Sequence, residues 1–293
     1  MDISPFNAKV QVTAKGDLKD AVKFLDKMVD VLSNGLGRLD EPIETVRQAK
    51  ADVKATEIRV IGKRALAERV AARTSHIEVR RQENLEAIAK MALELALPIS
   101  NSEPVDQDCS TRFFRIAQDV SNPDLREMWA RLLASEVAKP GVVSKRTLDV
   151  LDVLAAADAK RFAAIVPFCW TSADATFLLH MAGNDRMIFP IPSMDFRKYG
   201  IEYYHFMSLK EAGLLNQQEH LVYSFVGPEM FVCQATSFLL SSNSNGAEVP
   251  VVNLTEAGHA LLRVCDLSRN QAYLDDCVGR FRACGVKLEP LST

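Results

Sequence analysis

Between Ile58 and Arg81 the chain concentrates positive charge: Arg59, Lys63, Arg64, Arg69, Arg73, Arg80 and Arg81 stand against only Glu68 and Glu78. On a helix, Arg69, Arg73, His76 and Arg80 fall at i, i+4, i+7 and i+11 and share one face, with Arg59 and Lys63 near the same side. Such a stripe can grip phosphates or an acidic protein surface, because neighbouring cations sum their fields. The plainer reading is a solvated helix face laced with intrahelical ion pairs. The stretch has no aromatic residue on which a base could stack, which argues against single-strand recognition.

The other chemistry-bearing residues do not assemble into a motif. His76, His180, His205, His220 and His259 show no HExxH, HxH or Cys–His spacing, and no GxSxG, GxxxxGK[ST] or GxGxxG occurs. Cys109, Cys169, Cys233, Cys265, Cys277 and Cys284 include no CxxC and read as reduced thiols, several of them buried. Cys109 stands among polar residues; the others lie in or near apolar runs. Asp106, Asp108, Asp119 and Asp124 are spaced as caps and helix surface, unlike a calcium loop. The expectation is therefore no catalytic residue, no metal and no cofactor.

The elements that would carry the basic stripe are helical. Gly16–Leu36 places Ala21, Val22, Phe24, Leu25, Met28, Val29 and Leu32 at three- and four-residue spacing. After Asn34–Gly37, Asp40-Glu41-Pro42 restarts a helix, and Ile43–Leu97 contains no proline and one glycine, Gly62. Unbroken, it would run roughly 80 Å at 1.5 Å per residue. Between Ala49 and Ala72 small alanines replace large apolar residues, so an alanine-lined arm fits better than a leucine-type coiled coil. Pro98–Asp108 is a polar linker. Then come the helix RFFRIAQDV, a helix opened by Ser121-Asn122-Pro123-Asp124 and closed by Lys139-Pro140-Gly141, and another capped by Ser144. Phe113, Phe114, Trp129, Leu132, Leu133, Leu148, Leu151 and Leu154 are the expected core.

From Thr171 short helices alternate with β-type runs: RMIFPI, HLVYSFV, MFVCQATSFLL and VPVVNL. SLKEAGLLN reads as a short helix ending at Gly213, and LTEAGHALLRVC as an amphipathic helix capped by Thr255. Helix, GLL, hairpin, helix is the order of a winged-helix-like module. Base readout needs Arg, Lys, Asn or Gln reaching a groove, whereas this module is net acidic and offers Lys210 beside Glu211 and Glu202.

The bulk numbers fit this picture. The 293 residues are 48% hydrophobic and 25% charged, with a formal net charge of -3 that disfavours wholesale nucleic-acid coating. The N-terminus has no apolar run of the signal-peptide kind, and no uncharged run approaches the roughly 20 residues of a membrane span. A cytoplasmic location with no stable membrane span is expected.

Glu127–Leu151, EMWARLLASEVAKPGVVSKRTLDVL, resembles a bacterial domain-of-unknown-function family with an "LWAxLLAGEI…PG…S.RTL" signature after an "RF…A.D.S" helix. Ser135 stands where the pattern has glycine. RRQEN at Arg80–Asn84, LKEAGLL and LTEAGHALL are similar too, so the resemblance covers most of the chain. It implies no activity; it does suggest a place among antiviral defence genes.

These readings combine into a mainly α protein with a C-terminal α+β module. The expected parts are a flexible N-terminus (1–15), a helical arm (16–97), a helical domain (104–170) and a winged-helix-like module (171–293). The expected function is non-enzymatic binding and assembly in phage defence or a stress response. The arm would meet a second copy or a partner helix, and the stripe Arg59, Lys63, Arg69, Arg73, His76, Arg80, Arg81 would meet a nucleic acid or another anionic surface. The alternative is a winged-helix DNA-binding transcriptional regulator.

Overall fold

Helix α1, Leu18–Leu36, forms because Phe24, Met28, Val31 and Leu32 line one side of it and are all buried. In this computed structural model, the residues described are 18–36, 63–95, 97–99, 103–172, 176–179, 195–218, 221–225, 227–234, 236–242, 247–266, 270–283 and 285–291. Arg59, His180, His220, Cys284, the run RMIFPI, the expected flexible N-terminus and the expected helix before Lys63 lie outside them.

The chain divides into two compact units, the first ending at Leu148 and the second running from Asp149. In the first, α2 (Lys63–Leu95) is a single helix of 33 residues. Its C-terminal half buries Leu85, Ile88, Ala89 and Ala92 and lies along α4 (Pro123–Ala138). Between them comes α3, Gln107–Ala117, which starts inside the expected polar linker because the Asp106 carboxylate accepts from the Cys109 N–H at 2.7 Å and caps it. Asn122 caps α4 in the same way at 3.2 Å, with Pro123 in the first turn. Trp129 is fully buried edge-on against Phe113, ring centroids 4.8 Å apart. Helix α5 (Lys145–Asp152) is capped by Ser144, whose Oγ accepts from the Thr147 N–H at 3.1 Å. All eight residues expected in the core are buried.

The second unit continues with α6 (Ala156–Ile165) and then a seven-stranded antiparallel sheet. Its strands are β1 (Trp170–Thr171), β2 (Thr176–Leu179), β3 (Leu221–Phe225), β4 (Glu229–Cys233), β5 (Thr236–Ser242), β6 (Ala247–Asn253) and β7 (Val286–Pro290), in the order β3-β6-β2-β1-β4-β5-β7. Helix α7 (Tyr203–Glu211) precedes β3, α8 (Glu256–Leu262) follows β6, and α9 (Gln271–Ala283) packs against β7. MFVCQATSFLL makes two strands rather than one, because Gln234 turns the chain at φ 52°. Four strands thus separate α7 from α8, where the sequence reading expects one hairpin. Under the sheet, the buried Trp170 donates from Nε1 to the Tyr273 hydroxyl at 2.9 Å, which donates to the Phe168 carbonyl at 2.9 Å. The protein is mainly α with a C-terminal α+β part, and among the described residues no helix is long and apolar enough to cross a membrane.

Candidate functional site

Helix α2 is built from strong helix formers throughout, yet its two halves meet different surroundings. Every residue from Leu66 to His76 is exposed, whereas burial begins with Asn84 and Leu85. Lys63 opens the helix, and Arg69, Arg73 and His76 stand on the exposed half. Arg80 and Arg81, at the junction, turn instead to Asp119 in the turn between α3 and α4. Arg81 binds it with two parallel hydrogen bonds, Nε to Oδ1 at 3.0 Å and Nη2 to Oδ2 at 3.1 Å, and also reaches Glu78 at 3.0 Å. Arg80 approaches Asp119 at 3.5 Å. The Arg81 hydrogen bonds hold the Asp119 carboxyl below its usual range and raise the Arg81 guanidinium. The predicted stripe is thus continuous in sequence and divided in the fold: Arg69, Arg73 and His76 face solvent, while Arg80 and Arg81 clamp the helix to its own unit.

Asn84 completes the clamp. Its buried amide donates to the Gln118 carbonyl at 2.7 Å and the Ser121 hydroxyl at 3.2 Å, and its oxygen accepts from Arg126. Arg126 in turn donates to the Val120 carbonyl at 3.1 Å. RRQEN and the Asp119 and Ser121 of the "A.D.S" pattern, separate in sequence, therefore meet at one joint. Asn84 and Asp119 escape single-residue reasoning; their only sequence signal is that both stand in segments carrying the resemblance.

The other such segments are also structural joints. The buried Glu136 carboxylate accepts from the N–H groups of Gly141 and Val143, each at 2.8 Å, which pins the loop carrying Lys139-Pro140-Gly141. Burial raises its pKa, and these backbone donors oppose the rise. In the second unit the Thr255 hydroxyl donates to the Gly213 carbonyl at 2.6 Å and caps α8 by accepting from the Gly258 N–H at 3.2 Å. Gly258 must be glycine, since a Cβ there would collide with the Leu214 carbonyl oxygen. LKEAGLL and LTEAGHALL are two sides of one contact.

Burial sets the state of the described thiols and of His259. Cys109 is buried rather than solvated, donating to the Val143 carbonyl at 3.1 Å, and burial pushes its thiol up to about 11. Burial likewise pushes Cys277 up to about 12 and raises Cys169 and Cys233. His205 accepts at Nδ1 from the Glu202 N–H at 2.8 Å, at the start of α7, and burial lowers the His259 pKa. No cluster of three or more His, Cys, Asp or Glu residues that could hold a metal occurs among the described residues.

No match was found among curated proteins or among solved structures. The profile of a protein family of unknown function, DUF2806, matches residues 68–277, from the exposed half of α2 to α9. The chain belongs to the DUF2806 family.

Proposed function

We propose that this chain is a non-enzymatic binding and assembly protein, with the exposed half of α2 as its contact element. The observation that carries the reading is the contrast within that helix: Leu66–His76 stays helical with no buried residue, while the same helix is clamped at Asn84 and Asp119. An isolated helical stretch this short gains little from its own hydrogen bonds in water, so contact with a partner is the natural source of further stability. The cations Arg69 and Arg73 suit an acidic partner surface. The resemblance of Glu127–Leu151 supports a setting in bacterial antiviral defence.

Sedimentation velocity over a range of protein concentrations, with and without duplex DNA, tests the reading. Concentration-dependent association indifferent to DNA is the expected result. Steeply salt-dependent DNA binding by a non-associating chain would instead establish the rival, a winged-helix DNA-binding regulator acting through the C-terminal part. For the setting, cells expressing the gene with its native neighbours should lose protection, seen as a rise in phage plating efficiency, when Arg69 and Arg73 are changed to Glu. No protection by the unaltered gene against a broad phage panel would remove the defence role.

A further inference from the structure

Helix α7 opens on a histidine used as an acceptor. Glu202 stands just before its first residue, Tyr203. The Glu202 N–H donates to His205 Nδ1 at 2.8 Å, and the His205 N–H donates to the Glu202 carbonyl at 3.0 Å. A glutamate or glutamine at this third helical position commonly reaches back to the N–H of the capping residue in the same way. Histidine can do so on one condition. Nδ1 must carry no proton, because an imidazolium is a donor at both nitrogens and accepts nothing.

The surroundings give a charged ring little in exchange. It would sit at the positive end of the helix dipole. Among the described residues, two elements pack against α7. Helix α6 brings Asp158, Lys160 and Arg161, and the short turn Phe196–Tyr199 brings Arg197 and Lys198, with Asp195 capping it. Asp158 is already engaged by the Ser208 hydroxyl at 2.6 Å and by Arg161 at 2.7 Å, and Asp195 by Arg197 at 2.8 Å. The Tyr204 ring lies 4.1 Å from the imidazole and has the Arg161 guanidinium over it at 5.8 Å, so a second cation would meet the first. On α7 itself Lys210 and Glu211 stand at the far end, which leaves the Glu202 carboxylate, whose charge also acts on Arg197. Further along, Phe206 and Leu209 are buried and Ser208 is tied to α6, whereas Tyr203 and Tyr204 in the first turn are exposed.

We propose that His205 is a pH-sensitive latch on the first turn of α7. With a neutral ring the latch is closed. Uptake of a proton at Nδ1 breaks the bond from the Glu202 N–H and releases Glu202–His205, with Tyr203 and Tyr204, while α7 from Phe206 onward stays seated. The direction follows from which form makes the bond. A bond accepted by the neutral imidazole holds the turn at higher pH and is lost as pH falls through the ring's protonation. Histidine as a residue type changes its charge between about pH 8 and pH 5, so the latch works in mild acid.

The test is amide hydrogen exchange of the full chain, followed by mass spectrometry on peptides covering Glu202–Phe206 from about pH 8 to pH 5, with labelling times scaled to the intrinsic exchange rate. Peptides from α8 serve as the internal standard. The native chain should lose protection in this turn roughly fivefold as pH falls, the factor that one cap bond supplies. His205→Gln keeps an acceptor at the same place without a titrating proton, and should stay protected throughout. His205→Ala should show the acid level of the native chain at every pH, which reads the latch even if glutamine caps poorly. Native protection that persists to the acid end would overturn the proposal. So would a pH-dependent loss that survives in His205→Ala or His205→Gln, since another group would then be opening the turn.

Discussion

The two halves of α2 have nearly the same helix-forming composition and opposite fates. In the clamped half, Asn84, Leu85, Ile88 and Ala92 disappear into the first unit; in the other, nothing from Leu66 to His76 does. Helix propensity therefore accounts for the helix and not for its use. What separates the halves is a joint of a few polar groups, Arg81 with Asp119 and Asn84 with Gln118, Ser121 and Arg126. Among the described residues, the segments carrying the resemblance serve such joints, whereas Leu66–His76 of the arm buries no side chain.

Substitutions should divide along the same line. The largest effect belongs to Ile88→Ala, which empties a site that is 1% exposed and should cost about 2–5 kcal/mol in denaturant unfolding. Asn84→Ala comes next, at about 1–3 kcal/mol, because it removes the partner of the Gln118 carbonyl and of one Arg126 N–H in a part-buried joint, leaving Arg126 only its bond to the Val120 carbonyl. Leu66→Ala should change stability by no more than about 0.5 kcal/mol, its effect showing only in association. A loss at Leu66 as large as that at Ile88 would erase the distinction between the halves.

Acid sharpens the comparison further. The Asp119 pKa is depressed in the fold by Arg81, so its contribution is present above the unfolded carboxylate value near 3.8 and is lost as pH falls through the lower folded value. The clamp should loosen in that acid window, seen as faster amide exchange around Gln118–Ser121, and Asp119→Asn should remove this pH dependence. Glu136 has the opposite sign. Its raised pKa favours the fold below the unfolded value near 4.5, an advantage lost as pH rises through the folded value.

Local chemistry was legible in the sequence. The caps at Asn122, Ser144 and Thr255 form within three residues of themselves, so their residue types announce them. The core around Trp129 follows from helical periodicity alone, as do the buried Phe24, Met28 and Leu32 of α1, but Val22, Leu25 and Val29, expected in the same buried stripe, are exposed. Joints between distant segments were not legible. Nothing in RRQEN says that Asn84 will find Gln118 and Arg126, or that Arg80 and Arg81 will leave the basic stripe for Asp119. Cys109 stands among polar residues in the sequence, yet α3 turns it inward to the Val143 carbonyl. Sheet order is harder still, since β1 pairs with β4 and β2 with β6 across long stretches of chain, and no local pattern records such pairings.

The uninterrupted course of α2 has a mechanical consequence. A helix of 33 residues is about 50 Å long and bends little over that span, so it acts as a lever whose fulcrum is the Asn84–Asp119 joint. A small displacement of the tip near Leu66 is transmitted along the shaft and arrives as torque on the turn between α3 and α4. That turn also starts α4, the helix that carries Trp129 and ends at Glu136, so the pull reaches the centre of the unit.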